Sequence, residues 1–291
     1  MRYLILILKD FGYPFLERTL TDVKLAGIEV IPVLAVNDEL LTDVRSAARP
    51  NADEILSDAR RDSAFIVTDC AAGIGMAREH GTGFVYVEED GAEPPDVSGA
   101  QCIIQGFEEV GADFLIKMYE RFHHLPWTIL KTERLILREM TVDDVDRLYE
   151  IYAEPGITDF TEPLYEDRLQ EIGYTKDYIR NMYEFCGYGL WLVLEKSGRI
   201  VGRAGITGRE GYDEAELGYV IERSRQRRGY AAEACRAIIR YAADVLQMKG
   251  LNCFVQPGNE ASVKLCKLLG FEHLDDVKIS GCRMLRYHLD L

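Results

Sequence analysis

A loop with three arginines and one glycine, Arg225-Gln226-Arg227-Arg228-Gly229, joins an apolar β-rich segment (residues 215–221) directly to a helix-forming one (231–247). No other feature of the 291 residues constrains the fold as tightly. A helix that begins straight after a strand leaves its first N–H groups without backbone acceptors and carries about half a positive charge at that end. With a glycine turn in front, such an end suits an anion, a pyrophosphate in particular. The same residues also read as a strand-to-helix turn with solvated arginines, because short glycine motifs recur for structural reasons.

The flanking segments read as strands and helices of a mixed α+β domain. Residues 132–138 (TERLILR) form a strand, and Thr141 then caps a helix with Asp144 as the acid of a capping box. Residues 190–195 and 200–207 flank a Ser197-Gly198 turn and read as a hairpin. Asn259 precedes a helix over residues 261–269 and is placed to cap it.

The first half has a different rhythm. Apolar runs at residues 2–9, 29–35, 65–68, 84–87 and 102–104 alternate with helical stretches at 15–26, 71–80 and 108–121. That alternation implies a parallel sheet with helices on its faces, a small Rossmann-like sandwich. Pro126, in His123-His124-Leu125-Pro126-Trp127, disfavours helix just before it. Beyond this break lie twelve of the sixteen tyrosines. The chain therefore divides into a domain over residues 1–122, a linker at 123–128 and a second domain over 129–291.

Charge narrows the partners. Of the net charge of −15, residues 1–127 hold −11 (11 basic against 22 acidic), leaving −4 for the remainder. An acidic first half repels nucleic-acid phosphates and anionic membranes, so neither is expected as a partner. No apolar run approaches the ~20 residues of a membrane span, and the first, Tyr3–Leu8, is too short for a signal segment. The seven cysteines are scattered and odd in number, without a CxxC pair. They fit a reducing cytoplasm and offer no metal site.

Three segments, in order, resemble the GNAT superfamily of acetyltransferases. Gln226, Gly229 and Ala231 match that family's acetyl-CoA motif. Asn259-Glu260-Ala261-Ser262, followed by Leu269-Gly270-Phe271, is similar to its N-x-x-S…L-G-F segment. The opening TERLILREMTVDDVDRLYEIY resembles the ribosomal-protein acetyltransferase branch, RimJ/RimL-like. The resemblance implies a GNAT α+β fold with a mixed, splayed sheet, and acetyl-CoA as cosubstrate. Tyr219, Val220 and Ile221 would offer backbone groups to the pantetheine arm. Residues Gln226, Arg227, Arg228, Gly229, Tyr230 and Ala231 would hold the pyrophosphate. Asn259 would reach the pantetheine or act as a cap.

In such a family an amine attacks the thioester directly, so the protein must orient the two, accept a proton and stabilise the departing thiolate. Glu216, on the strand before the loop, is the base candidate. It could equally bind a cationic substrate or pair with Arg203. Cys266 stands where many relatives have a tyrosine acid, and a buried cysteine also serves as packing. Ser262 is the other nearby donor. Tyr165, Tyr188 and Trp191 are the candidates for an acceptor pocket, whereas Tyr174, Tyr178 and Phe185 recur at helical spacing and read as core. The acceptor is expected to be an amine-bearing small molecule or a protein N-terminus. The rival reading is a noncatalytic CoA-binding sensor.

Val67-Thr68-Asp69-Cys70-Ala71-Ala72-Gly73-Ile74 resembles the later half of a haloacid-dehalogenase-like domain. That family's paired strand-1 aspartates are represented by Asp10 alone, which leaves phosphoryl transfer without its carrier. The first half is accordingly expected to be a degenerate, noncatalytic module that recruits substrate, regulates or supports a homodimer.

Overall fold

The computed structural model describes residues 1–36, 39–41, 52–57, 60–91 and 93–291. It divides into two compact units, Met1–Trp127 and Thr128–Leu291.

The first unit runs β1 (Tyr3–Leu8), α1 (Leu16–Leu25), β2 (Glu29–Val36), β3 (Glu39–Leu41), α2 (Ala52–Leu56), β4 (Ala64–Thr68), α3 (Ala71–His80), β5 (Phe84–Val87), β6 (Cys102–Ile104) and α4 (Ala112–Phe122). Strand order is β3-β2-β1-β4-β5-β6, and every neighbour is parallel except the β2–β3 pair. The sequence dictates this: β1 is apolar at every position, so both faces need cover. Ile5, Ile7 and Ile66 pack on one face with Ile74 of α3; Leu4, Leu6 and Val67 pack on the other with Val23 of α1 and Leu115 of α4. Gly73 lets α3 lie close on β4, since a Cβ there would stand 2.0 Å from Thr68 Oγ1.

The second unit runs β7 (Thr128–Lys131), β8 (Leu135–Arg138), a 3-10 turn (Val142–Asp144), α5 (Val145–Tyr152), α6 (Arg168–Tyr178), a π-helical continuation (Ile179–Cys186), β9 (Leu190–Glu195), β10 (Ile200–Thr207), β11 (Glu216–Ile221), α7 (Tyr230–Asp244), β12 (Gly250–Val255), α8 (Glu260–Leu268), β13 (Glu272–Ile279) and β14 (Cys282–Asp290). The strand expected from residue 132 is a hairpin instead, β7 pairing with β8, and α7 stops short of the expected residue 247. The capping box is as read: the Thr141 N–H and hydroxyl both donate to Asp144 Oδ2, at 2.8 and 2.9 Å.

Eight strands form one mixed sheet in the order β13-β14-β12-β11-β10-β9-β8-β7. All neighbours are antiparallel except β11 and β12, which run parallel and share a single Cα pair, Glu216 with Asn252. Beyond that bridge the two strands part, leaving the backbone of β11 from Leu217 onward without a ladder on that side. One face carries Trp191, Ala204, Ile206 and Leu217 into a core closed by Ala234 and Ile238 of α7. Among the described residues no helix is long and apolar enough to cross a membrane.

Candidate active site

A cavity of about 520 Å³ opens where β11 and β12 part. Its size is that of a cofactor cleft. It brings together ten residues singled out in the sequence: Tyr219, Val220 and Ile221 of β11; Gln226, Arg227, Gly229, Tyr230 and Ala231 of the loop and α7; and Asn259 and Ser262 at the start of α8. Gly156, Ile157, Phe160 and Thr161, after α5, line it as well; Phe160 belongs to the aromatic segment expected to supply an acceptor pocket, and nothing in the residue types of the other three had marked them.

The loop has the geometry of an anion cradle. Arg227 and Gly229 both take positive φ, 59° and 80°, which turns successive N–H groups toward one side. Gly229 is the N-cap of α7 and no side chain caps the helix, so its first turn offers unpaired donors. The Gln226 side chain closes the loop from within by donating to the Ile221 carbonyl at 3.0 Å. Asn259 Oδ1 accepts from the Ser262 N–H at 3.1 Å, so its side chain caps α8 while the residue borders the cavity.

The arginines divide their work. Arg225 donates from Nε to Glu195 Oε1 at 2.7 Å and lies beside Glu222, so its charge is spent inside the protein. Arg227 is exposed and lines the cavity; Arg228 is exposed and does not line it. The Arg228 carbonyl instead accepts from Arg134 Nη1 at 2.9 Å. Glu233 holds that brace, taking the Arg134 Nε at 2.6 Å and the Thr132 hydroxyl at 2.6 Å.

Glu222 is the anchor that sequence reasoning missed. Its carboxylate is fully buried, yet it receives the Arg147 guanidinium, Arg199 Nη2 at 3.1 Å and the Ser224 hydroxyl at 2.8 Å. Burial pushes this carboxyl up, but those donors outweigh it and hold the group below the ordinary glutamate value. Its partners lie 2 to 75 positions away in the chain. The nearest sign in the sequence was an acid ending an apolar strand.

Glu216 starts β11, mostly buried, with Arg209 Nε 2.5 Å from its Oε2. Burial pushes its carboxyl above the ordinary value, and Arg209 pulls against that. The partner is therefore Arg209 and not Arg203, whose Nε donates to the Tyr152 hydroxyl at 2.7 Å. Glu216 borders the bridge to β12 and is not among the residues lining the cavity.

Three expectations are corrected. Trp191 is no pocket residue: it is fully buried on the α7 face, edge-on to Tyr241 at 5.5 Å. Cys266 does not reach the cavity; it is buried beside Cys253, whose thiol is pushed up by their hydrogen bond and by burial. Tyr165, exposed against Tyr174, and Tyr188, at the edge of the core, were expected in an acceptor pocket and lie outside this cavity. Phe185, read as core, is 87% exposed, and Tyr174 is exposed too. What the cavity does contain is Tyr219, whose hydroxyl is buried beside the Ser262 side chain. Burial pushes its pKa up, so the proton stays on.

Residues 134–272 match the family model described as an acetyltransferase (GNAT) domain. The uncharacterized N-acetyltransferase p20 of Bacillus licheniformis is 26% identical over 148 residues, 49% of this chain and 82% of that protein. YkkB of Bacillus subtilis is 28% identical over 158 residues, covering 52% and 89%. The fold is shared with the RimL ribosomal L7/L12 alpha-N-protein acetyltransferase (TM-score 0.51, 15% identity, 58% of this chain and 97% of that one). It is shared also with a putative ribosomal-protein-serine acetyltransferase from Vibrio cholerae (0.50, 21%, 57% and 98%). Residues 134–272, within the second unit, thus match an acetyltransferase (GNAT) domain.

Proposed function

We infer that the second unit binds acetyl-CoA in this cavity and transfers the acetyl group to a primary amine, in the manner of the RimJ/RimL-like branch. The observation that carries the reading is the coincidence of two unfinished backbones at one cavity. The free edge of β11 beyond its single bridge and the uncapped first turn of α7 both open there. An extended amide-bearing arm would pair with the first, and a pyrophosphate would take the second. Bound there, acetyl-CoA supplies the acetyl group activated as a thioester.

The protein's own residues then have separate tasks. Tyr219, Val220 and Ile221 offer main-chain groups along the slot, and Gln226 to Ala231 hold the anion, with Arg227 adding charge. Glu216 takes the proton from the attacking amine, directly or through a water; its raised pKa brings it nearer to working pH than a solvated glutamate. Ser262 and the Tyr219 hydroxyl donate to the departing sulfur. Tyr219 acts there as a hydrogen-bond donor rather than a proton source, since its pKa is far above that of a thiol.

Calorimetric titration with acetyl-CoA tests the reading. Micromolar binding, about −8 kcal/mol, supports it; absence of binding by the intact, folded chain removes it.

For the first unit we infer a noncatalytic role on a haloacid-dehalogenase-like ancestry. Asp69, buried at the end of β4, accepts the Lys9 N–H at 2.9 Å and the Tyr13 hydroxyl at 2.8 Å. A carboxylate so engaged clamps the loop after β1. Hydrolysis of a generic phosphate ester that disappears in Asp69→Asn would overturn this.

A further inference from the structure

The sheet face opposite α7 carries a charge that the acetyl-transfer reading leaves unused. Arg203 lies on β10, half-buried, with its Nε donating to the Tyr152 hydroxyl at 2.7 Å and its guanidinium 4.9 Å from the Tyr152 ring centre. Among the described residues its two terminal amino groups meet no acceptor, and no carboxylate stands within ion-pair distance. Tyr174 and Tyr178, with ring centres 6.0 Å apart, are close enough to feel its charge. Glu171, buried near the same tyrosines, accepts the Tyr165 N–H at 3.0 Å and makes no pair with it. Its outer donors are unmatched within the protein and are not among the buried, unpartnered atoms, so they reach solvent, where a planar, two-oxygen acceptor satisfies a guanidinium best.

Register relates this charge to the cavity and to the base. Arg203 pairs directly with Val220, which lines the cavity, and Tyr152 packs with Val220 and Ile157, both lining residues. Thr207 pairs with Glu216 in the same ladder. Directly opposed residues share a face, so Arg203 and Glu216 stand on one face, with about 14 Å between their Cα positions. Glu162, whose charge is felt by both Tyr174 and Glu216, adds to the negative end. This face thus carries an unpaired guanidinium at Arg203 and, further along the ladder, the Arg209-paired carboxylate of Glu216.

We propose that Arg203, framed by Tyr152, Tyr174 and Tyr178, is the subsite for a carboxylate on the acceptor, so that the amine acetylated belongs to an amino acid. The carboxylate is gripped by the fork of Arg203, and the ammonium group is thereby aimed at Glu216. The proposal rests on the acetyl-transfer reading.

Two measurements keep the two claims separate. The first is titration of the intact chain with acetyl-CoA, which tests the cofactor alone. The second uses free α- and ω-amino acids, each beside its amide. Binding is followed calorimetrically without CoA, and transfer by thiol release with acetyl-CoA. At least one acid should bind and be acetylated about 30-fold better in kcat/KM than its amide, a preference that Arg203→Met abolishes and Arg203→Lys restores only in part. The acetyl-CoA affinity of each variant reports its folding. Equal use of acids and amides, or a preference that survives Arg203→Met, overturns the subsite. So does acceptance of simple amines with no amino acid bound. If acetyl-CoA fails to bind, the cofactor reading falls, and amino-acid binding to the free protein still decides the subsite.

Discussion

Arg209 Nε lies 2.5 Å from Glu216 Oε2, and this ion pair opposes the effect of burial on a mostly buried carboxylate. Burial and Arg209 act in opposite directions on the same proton. Removing Arg209 leaves burial unopposed. Arg209→Met should therefore move the acid limb of the kcat/KM profile to higher pH, by about one unit, with little change in acetyl-CoA affinity. An unmoved limb would mean that the limb is not set by Glu216.

Glu216→Gln keeps the shape of the side chain and removes its capacity to accept a proton. Turnover should fall about 100- to 1,000-fold while acetyl-CoA still binds, and the acid limb should vanish. Initial rates across pH, alongside calorimetry, check both halves of this expectation.

Tyr219→Phe deletes a buried hydroxyl whose protein neighbour is the Ser262 side chain, so stability should change little in thermal unfolding. If that hydroxyl serves the departing sulfur, kcat should drop about tenfold with the KM for acetyl-CoA nearly constant. Unchanged kcat would leave Ser262 as the sole donor.

Glu222→Gln removes the charge on which Arg147 and Arg199 converge, and so loosens the loop from behind. Acetyl-CoA affinity should weaken about tenfold although the side chain lies outside the cavity lining. Gly229→Ala should weaken it too, since φ of 80° there costs an L-residue about 1 kcal/mol.

Asp144 bonds both Arg138 terminal nitrogens, at 2.8 and 2.7 Å, in addition to Thr141. Burial raises its carboxyl, but Arg138 and Thr141 outweigh that and hold it below 3.8. A depressed folded value stabilises the protein above the unfolded one, and the gain fades as pH falls through the folded value. Asp144→Asn should cost about 2 kcal/mol at pH 7 and progressively less below pH 4 in denaturant unfolding.

The loop was legible in the sequence because its demands are local: a glycine where φ is positive, a strand before it and a helix after it. The parallel order of the first unit followed from apolar runs with no polar face. Trp191 was not legible, since β9 is apolar at successive positions and alternation gave no inner or outer face. Phe185 was misread because the helix turns π-helical after Tyr178, and i→i+5 bonding rotates later residues off the 3.6-residue spacing. The partners of Arg225, Glu222 and Glu216 depend on which strands lie side by side, which no local pattern encodes.

The single bridge between β11 and β12 has a thermodynamic consequence. A sheet left unzipped along one seam is completed only by what enters it, so the occupant becomes part of the fold it stabilises. At about one hundred times its dissociation constant a ligand adds roughly 2.7 kcal/mol to resistance against unfolding. The melting temperature of the second unit, and its survival against proteases, should then rise and fall with the free concentration of the molecule that fills the seam.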